Sequence, residues 1–131
     1  MAEAAADQLR QQVSELVKLS RAGSVKRLRS RLEALSHEAP EVVNARCDPG
    51  GWTCLHTAAY QGNKGCVRLL LEHGAKSTIR THAGYLAIDY ARRKGHAEIE
   101  EILYDALQRE VELENERRRL AAASTRVSTG S

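Results

Sequence analysis

Apolar residues and glycines recur with one period in the second half of the chain. The segment Gly51-Trp-Thr-Cys-Leu-His-Thr-Ala58 aligns with Gly84-Tyr-Leu-Ala-Ile-Asp-Tyr-Ala91 at an offset of 33 residues. At the same offset the glycine at 62 matches that at 95, and apolar positions 66, 69 and 70 match 99, 102 and 103. Because structure constrains glycines and core positions most strongly, the period predicts two copies of one supersecondary unit.

Each copy has the pattern of a turn followed by two helices. In the first copy the pattern predicts a short helix over about 55–61 and a second helix over about 64–72. Gly62 lies between them, where a tight reversal favours a residue without a side chain. Gly74 follows the second helix, at the place where helices commonly end on a left-handed residue.

The first copy closely resembles the ankyrin repeat, both in the segment from Gly51 to Gly62 and in Val-Arg-Leu-Leu-Leu-Glu-His-Gly-Ala at 67–75. Cys54 stands where the family has the proline of Thr-Pro-Leu-His. The second copy departs further: Leu86 replaces the threonine, Asp89 the histidine and Arg92 the second alanine. The recognised units cover 48 to about 104, and the resemblance implies an all-α solenoid of stacked helix pairs.

Two repeats cannot bury their apolar faces alone, so the rest of the chain must cover them. Upstream, the residues around Gly23 also indicate helix, glycine, helix. We interpret about 8–46 as a degenerate capping repeat, with some six residues inserted within 33–41 relative to the next unit. Leu35 occupies the position of a terminating glycine, so we expect the helix to continue until Pro40 disfavours it.

The C-terminal end also lacks a terminating glycine, because Leu107 stands at that position. Nothing between 97 and 123 breaks a helix, and Ala, Leu, Glu and Arg dominate. The sequence therefore predicts a long terminal helix over about 97–120. The expected organisation is a repeat domain over 1–106, with full repeats at about 48–80 and 81–106. A charged helical extension over 107–123 and a disordered tail over 124–131 follow it.

Composition and charge fit an intracellular protein. The chain carries a net charge of +3, too little to favour nucleic acid as partner. Arg21 to Arg31 holds five bases and no acid, which is typical either of a solvated helix face or of a contact with an acidic partner. Three cysteines match no disulfide or zinc spacing. With no signal peptide or membrane-length apolar run, we expect a cytoplasmic or nuclear protein.

We find no catalytic, cofactor or metal constellation in the sequence. No serine or cysteine is paired with a histidine in a recognisable nucleophile context, and no glycine-rich phosphate loop occurs. The resemblance implies that His56 is structural, because the family's histidine at this position bonds to the threonine of the same tetrapeptide. We therefore expect no enzyme activity, no small-molecule substrate, no cofactor and no metal.

The resemblance implies protein binding through the concave face, by the turn tips and the exposed side of each short helix. Carried over by position, turns contribute Pro49 and Gly50 and the predicted partner-binding residues are Trp52, Thr57, Tyr60, Gln61, Arg80, His82, Tyr85, Tyr90, Arg93 and Lys94. Trp, Tyr and Arg are enriched at binding hot spots. The alternative for Trp52 and Tyr85 is packing against neighbouring turns. We expect an adaptor or regulatory subunit whose partner presents an acidic or mixed surface.

The terminal helix offers a second hypothesis: assembly through the helix itself, by docking into a complex or by self-association. Ile99, Ala106, Leu113 and Leu120 are spaced by seven residues, as in a coiled-coil seam. Their companion positions are Leu103, Glu110 and Arg117, of which one is apolar. We therefore expect a monomer, with coiled-coil association as the alternative.

Overall fold

The computed structural model describes residues 2–47 and 50–129, with the side chains of 2–6, 36 and 124–129 left out of the description. Helices make up most of this part, and turns and loops connect them. The helices are α1 (Ala2–Ala22), α2 (Val25–Leu35), α3 (Ala39–Val43), α4 (Cys54–Gln61), α5 (Lys64–Glu72), α6 (Ala87–Arg93) and α7 (Ala97–Thr129). The predicted all-α solenoid with a long C-terminal helix is confirmed.

The helices form two layers that run the length of the stack. In the inner layer α1 packs on α4 and α4 on α6, while in the outer layer α2 packs on α5 and α5 on α7. Leu16, Leu55 and Ile88 occupy equivalent positions on the three inner helices, and all three are buried. Each repeat therefore buries its apolar side against the next, as expected for a solenoid.

The helix boundaries of the first full repeat agree closely with the pattern. Helix α5 spans Lys64–Glu72 as predicted, and α4 begins at Cys54, one residue before the predicted start. Gly62 ends α4 with a φ of 79°, and Gly74 follows α5 with a φ of 93°. Both backbones lie in the left-handed region, where a side chain is strained.

The capping repeat differs from the prediction in two ways. Helix α1 begins at Ala2, earlier than the predicted boundary near residue 8, and no proline or glycine lies in between to stop it. Helix α2 ends at Leu35, and a short 3-10 turn at Ser36–Glu38 precedes α3. Pro40 therefore does not end a helix but lies in the first turn of α3. A proline is tolerated there because the first helical N–H groups have no intrahelical acceptor.

Helix α7 extends further than the sequence predicts. It continues to Thr129, past the predicted end near 120, and includes residues 124–129 of the segment that we expected to be disordered. Residues 130 and 131 lie outside the described part. The longer helix is reasonable because Gly130 is the first glycine or proline after Gly95.

Polar contacts hold the loop after α5 between the repeats on either side. The Asn44 side chain donates to the Gly74 carbonyl at 2.9 Å and accepts from the Lys76 N–H at 2.8 Å. On the other side, the Ser77 N–H and hydroxyl both donate to the Glu110 carboxylate, at 2.9 Å and 2.8 Å. The folded unit thus reaches Glu110, beyond the predicted boundary at 106.

Candidate protein-binding face

Equivalent residues of the three inner helices lie on one face of the stack. Arg21 precedes Gly23 by the same two residues by which Tyr60 precedes Gly62 and Arg93 precedes Gly95. All three side chains are exposed. With their neighbours they form a surface that we call the aromatic-basic face, which consists of Arg21, Trp52, Tyr60, Gln61, Tyr85, Arg93 and Lys94.

Aromatic rings pack together at the centre of this face. The Trp52 ring lies 4.3 Å from that of Tyr90 and 5.5 Å from that of Tyr60, measured between ring centroids. Tyr85 approaches Tyr90 to 5.7 Å with its ring strongly tilted. Tilted and edge-on arrangements are favourable for aromatic pairs, and they link the first full repeat to the second.

Two cations rest on these rings. The Arg93 guanidinium lies 4.3 Å from the Tyr85 ring centroid, and its Nη2 donates to the Tyr85 hydroxyl at 2.8 Å. The Lys94 ammonium lies 4.5 Å from the Tyr60 ring centroid. Each such contact contributes roughly 0.5–1 kcal/mol at an exposed site. Both positive charges therefore lie against aromatic rings on this face.

An open groove of about 440 Å³ lies between the capping repeat and the first full repeat. Its described lining residues are Arg21, Cys47, Gly50, Trp52, Thr57, Tyr60 and Gln61. The aromatic rings of Trp52 and Tyr60 suit an apolar side chain, while Arg21 is the only charged residue among these lining residues. The groove is therefore suited to an apolar group beside a carboxylate.

The two turns at the edge of the face are joined to each other. The His82 N–H donates to the Gly50 carbonyl at 2.9 Å, which connects one turn with the next. Within its own turn, Arg80 donates through Nη1 to the Gly84 carbonyl at 2.9 Å. Pro49, which the sequence analysis included among the turn residues, lies outside the described part.

His56 stabilises the start of α4. Its Nδ1 accepts from the Thr53 N–H at 3.0 Å and lies 2.9 Å from the Thr53 hydroxyl oxygen. Burial lowers the pKa of His56, because it disfavours the imidazolium, and the backbone of Ile79 and Tyr85 opposes this by raising the pKa. The side chain is 1% exposed, so it serves the fold and not the surface.

At the start of α6 the second full repeat keeps one of the two capping contacts that His56 makes with Thr53 at the start of α4. Asp89 accepts from the Leu86 N–H at 2.9 Å, as His56 does from Thr53. Leu86 has no side-chain oxygen to return the bond. Leu86, in place of the family's threonine, therefore removes one capping hydrogen bond, but α6 still begins at the equivalent position.

The thiols of Cys54 and Cys66 are buried, and no metal-binding group accompanies them in the described part of the chain. Within residues 2–47 and 50–129, no group of three or more His, Cys, Asp or Glu side chains could hold a metal ion. Burial raises the pKa of the Cys54 thiol to about 12 and also raises that of Cys66. A buried thiol that stays protonated is a poor nucleophile. None of the described helices is long and apolar enough to cross a membrane.

Eight of the ten predicted binding residues are partly or fully exposed, but two are not. Tyr90 is 7% exposed, because it lies beneath Trp52 and Tyr60, and its hydroxyl pairs with that of Thr81 at 3.1 Å. Thr57 is 5% exposed. Both positions were expected on the exposed side of the short helices, and the structure corrects this: Tyr90 supports the face from below, and Thr57 forms part of the groove floor.

Arg21 was missing from the predicted binding residues, although its equivalence to Tyr60 could have been found. The offset of 39 residues that aligns Gly23 with Gly62 also aligns Arg21 with Tyr60. The sequence analysis placed Arg21 only in a run of basic residues. The capping repeat therefore contributes to the same face as the two full repeats.

Comparison with known proteins agrees with this architecture. A family model described as ankyrin repeats in three copies matches residues 10–115. The chain is 45% identical over 47 residues to the rat ankyrin repeat and SAM domain-containing protein 6, covering 36% of this chain and 5% of that protein. It is 39% identical over 49 residues to mouse synphilin-1, covering 37% of this chain and 5% of that protein.

A third relative is the rice probable E3 ubiquitin-protein ligase XBOS34. The chain is 43% identical to it over 53 residues, which is 39% of this chain and 10% of the rice protein. The chain thus spans a tenth or less of the length of these relatives. Ankyrin repeats generally mediate protein–protein interaction and are generally non-enzymatic.

Proposed function

Because the chain belongs to the ankyrin repeat family, we propose that it is a non-enzymatic adaptor or regulatory subunit that binds a partner protein through the aromatic-basic face. The observation that carries the proposal is the joint placement of Tyr60, Tyr85, Arg93 and Lys94, with both cations resting on the aromatic rings. The partner segment would carry carboxylates next to an apolar or aromatic side chain.

The charges on the face favour an acidic partner over a basic one. Arg21, Arg93 and Lys94 are exposed, and no acidic residue is among the described lining of the groove. The aromatic side chains add contact area at a small cost in conformational entropy, because they are already packed against one another. Trp, Tyr and Arg are the residue types that dominate the energy of protein interfaces.

The test uses substitutions that leave the packed rings intact. Arg21→Glu with Lys94→Glu reverses two exposed charges of the face without removing Trp52 or Tyr90. The matched control, Arg27→Glu with Arg29→Glu, makes the same change in net charge on exposed positions of α2. Affinity purification with mass spectrometry should lose the main captured protein with the first variant and keep it with the control. Equal capture by both variants contradicts the proposal.

The alternative is docking into a larger assembly through the C-terminal helix. The exposed Leu113 and Leu120 favour it, since the repeats leave them uncovered. A truncation at 106 would also remove Glu110, which bonds to Ser77, and so would disturb the repeats. A chain ending after residue 111 avoids this. Loss of the partner from this shorter chain, with capture by the charge-reversed variant unchanged, would favour the alternative.

A further inference from the structure

Within the described part of the chain, no repeat follows α6 and α7, so one side of this last helix pair is uncovered. Ala59 and Val67 of the first full repeat lie inside the stack and are 0% exposed. At the offset of 33 residues their equivalents are Arg92 and Glu100. These two side chains form an ion pair at 2.9 Å and are 61% and 35% exposed. Charged residues therefore replace apolar ones at this end of the stack.

The ion pair occupies only the part of this side that lies next to α6. An apolar stripe continues along α7 from Glu100, and it consists of Tyr104, Leu107 and Val111. Spacings of three and four residues place these side chains on one side of a helix. Tyr104 is 53% exposed, Val111 is 46% exposed and Leu107 is half-buried. We call Arg92, Glu100 and the stripe together the end face.

The stack itself shows what shape would cover the stripe. The equivalent of Tyr104 in the first full repeat is Leu71, which is half-buried and packs against the core. Because α5 packs on α2 and α7 packs on α5, a helix laid along α7 in the same way would cover Tyr104 and Leu107. A complete repeat would also bury the Arg92–Glu100 pair, and burying two charges is costly. A single helix therefore fits the end face better than a further repeat.

The charges beside the stripe are acidic. Residues 97–112 hold six acids and one base, Arg109. Three of the acids bond to residues of the repeats. The other three are exposed and form no ion pair within the described part of the chain: Glu101, Asp105 and Glu112. At 3.6 residues per turn these three lie in a line along the solvent side of the stripe, which we call the acidic edge.

We infer that the end face binds an amphipathic helix of a partner protein that carries lysines or arginines along one edge of its apolar side. The apolar side chains of this helix cover the stripe, and its cations lie opposite Glu101 and Asp105. Docking of a helix through apolar residues one turn apart is a common mode of recognition. An acidic helix is disfavoured, because like charges would meet along the acidic edge.

The basic part of the bound helix lies beside Tyr104 and Leu107. Val111 marks the C-terminal limit of the acidic surroundings, because it also lines a groove with Lys76 and Arg118. The segment recognised here has the opposite charge to the one proposed for the aromatic-basic face. The two surfaces therefore bind different segments, and one can be tested without the other.

Two synthetic helical peptides provide the test. The basic peptide has about 15 residues, with leucines on one side and lysines along one edge of that side, and the acidic peptide has glutamates in place of the lysines. In a nuclear magnetic resonance titration of the full chain, the basic peptide should shift the amide signals of residues 100–112 and leave those of 52–61 unchanged. The acidic peptide should leave the signals of 100–112 unchanged. Added salt should weaken binding of the basic peptide, because it screens unlike charges.

Substitutions on exposed positions locate the site. Glu101→Lys with Asp105→Lys should weaken binding of the basic peptide about tenfold, because it replaces attraction by repulsion. Tyr104→Ala should weaken it by removing the most exposed residue of the stripe. The matched control, Glu33→Lys with Glu72→Lys, makes the same change in net charge on exposed positions of α2 and α5 and should bind as the original chain does. Circular dichroism checks that all variants keep their helix.

Four outcomes would overturn the inference. The first is an absence of shifts within 100–112 up to about 1 mM of the basic peptide. The second is an equal response of these residues to the acidic peptide, and the third is unchanged binding by the charge-reversed variant. The fourth is a shift of the same signals when the chain alone is concentrated, which indicates a second copy as the occupant. Since capture by the aromatic-basic face enters none of these measurements, failure here leaves the proposed function in place.

Discussion

The ring of Trp52 lies 4.3 Å from the ring of Tyr90, so a turn of the first full repeat packs directly on the inner helix of the second. This contact has two consequences. It explains why Tyr90 is buried, although the sequence analysis placed it on the exposed side of the short helix. It also shows that Trp52 takes part in packing as well as in lining the groove.

Trp52 and Tyr60 should therefore respond differently to substitution. Trp52→Ala removes the cover from Tyr90 and should cost about 2 kcal/mol or more in the free energy of unfolding. Tyr60 is 37% exposed, so Tyr60→Ala should cost less than about 1 kcal/mol while still weakening partner binding. Urea denaturation of both variants measures the difference, and equal losses of stability would show that Trp52 packs no more tightly than Tyr60.

The stability of the protein should fall in mild acid through His56. Burial lowers the pKa of His56 below its ordinary value of 6.5, so the unfolded chain takes up the proton first as the pH falls. The contribution of the neutral histidine is present above this value and is lost as the pH drops below it, until the folded state is protonated as well.

The measurement compares the original chain with His56→Gln. Urea denaturation at about pH 7.5 and about pH 5.5 should show a larger loss of stability on acidification for the original chain. The remaining histidines and carboxylates are common to both proteins, so they cancel in the comparison. The same pH dependence in both would mean that His56 does not titrate differently in the folded and unfolded states.

Glu110 should hold the α7 helix against the loop after α5. Glu110→Ala leaves the buried Ser77 N–H without its acceptor, which should cost about 1–3 kcal/mol. Amide hydrogen exchange should accelerate at Ser77 and along the last part of α7. Glu112→Ala is the control, because Glu112 is exposed, and it should change stability by less than about 0.5 kcal/mol. Slow exchange at Ser77 in the Glu110 variant would contradict this assignment.

The three cysteines should differ sharply in reactivity. Cys47 is half-buried, whereas Cys54 is fully buried with its pKa raised to about 12. A thiol-alkylating reagent at neutral pH should therefore modify Cys47 first in the folded protein, and it should reach Cys54 and Cys66 only after unfolding. Mass spectrometry of the digested protein reports the order. Early modification of Cys54 would show that the start of α4 opens readily.

Much of the fold follows from residues whose role is local. Gly62 and Gly74 marked the ends of α4 and α5 correctly, because a left-handed backbone there favours glycine whatever surrounds it. The interpretation of Pro40 was wrong, since the same residue can end one helix or lie in the first turn of another. Only the packing of α3 against the rest of the capping repeat decides between the two.

The sequence predicted less of the aromatic-basic face. The resemblance to the ankyrin repeat placed Tyr60, Arg93 and Lys94 on the exposed side of the inner helices, and all three are exposed. It could not show that Tyr90 lies under Trp52, since that contact joins residues of different repeats through their side chains. Glu110 was missed as a structural residue for the same reason, because its partner Ser77 lies 33 residues away in sequence.

The central claim, that the aromatic-basic face binds the partner, is tested most directly by amide hydrogen exchange on the complex with the main captured protein. The account predicts slower exchange within residues 52–61 and 85–94 on binding, with little change in α2. Protection confined to residues 111–123, with the inner helices unchanged, would contradict it.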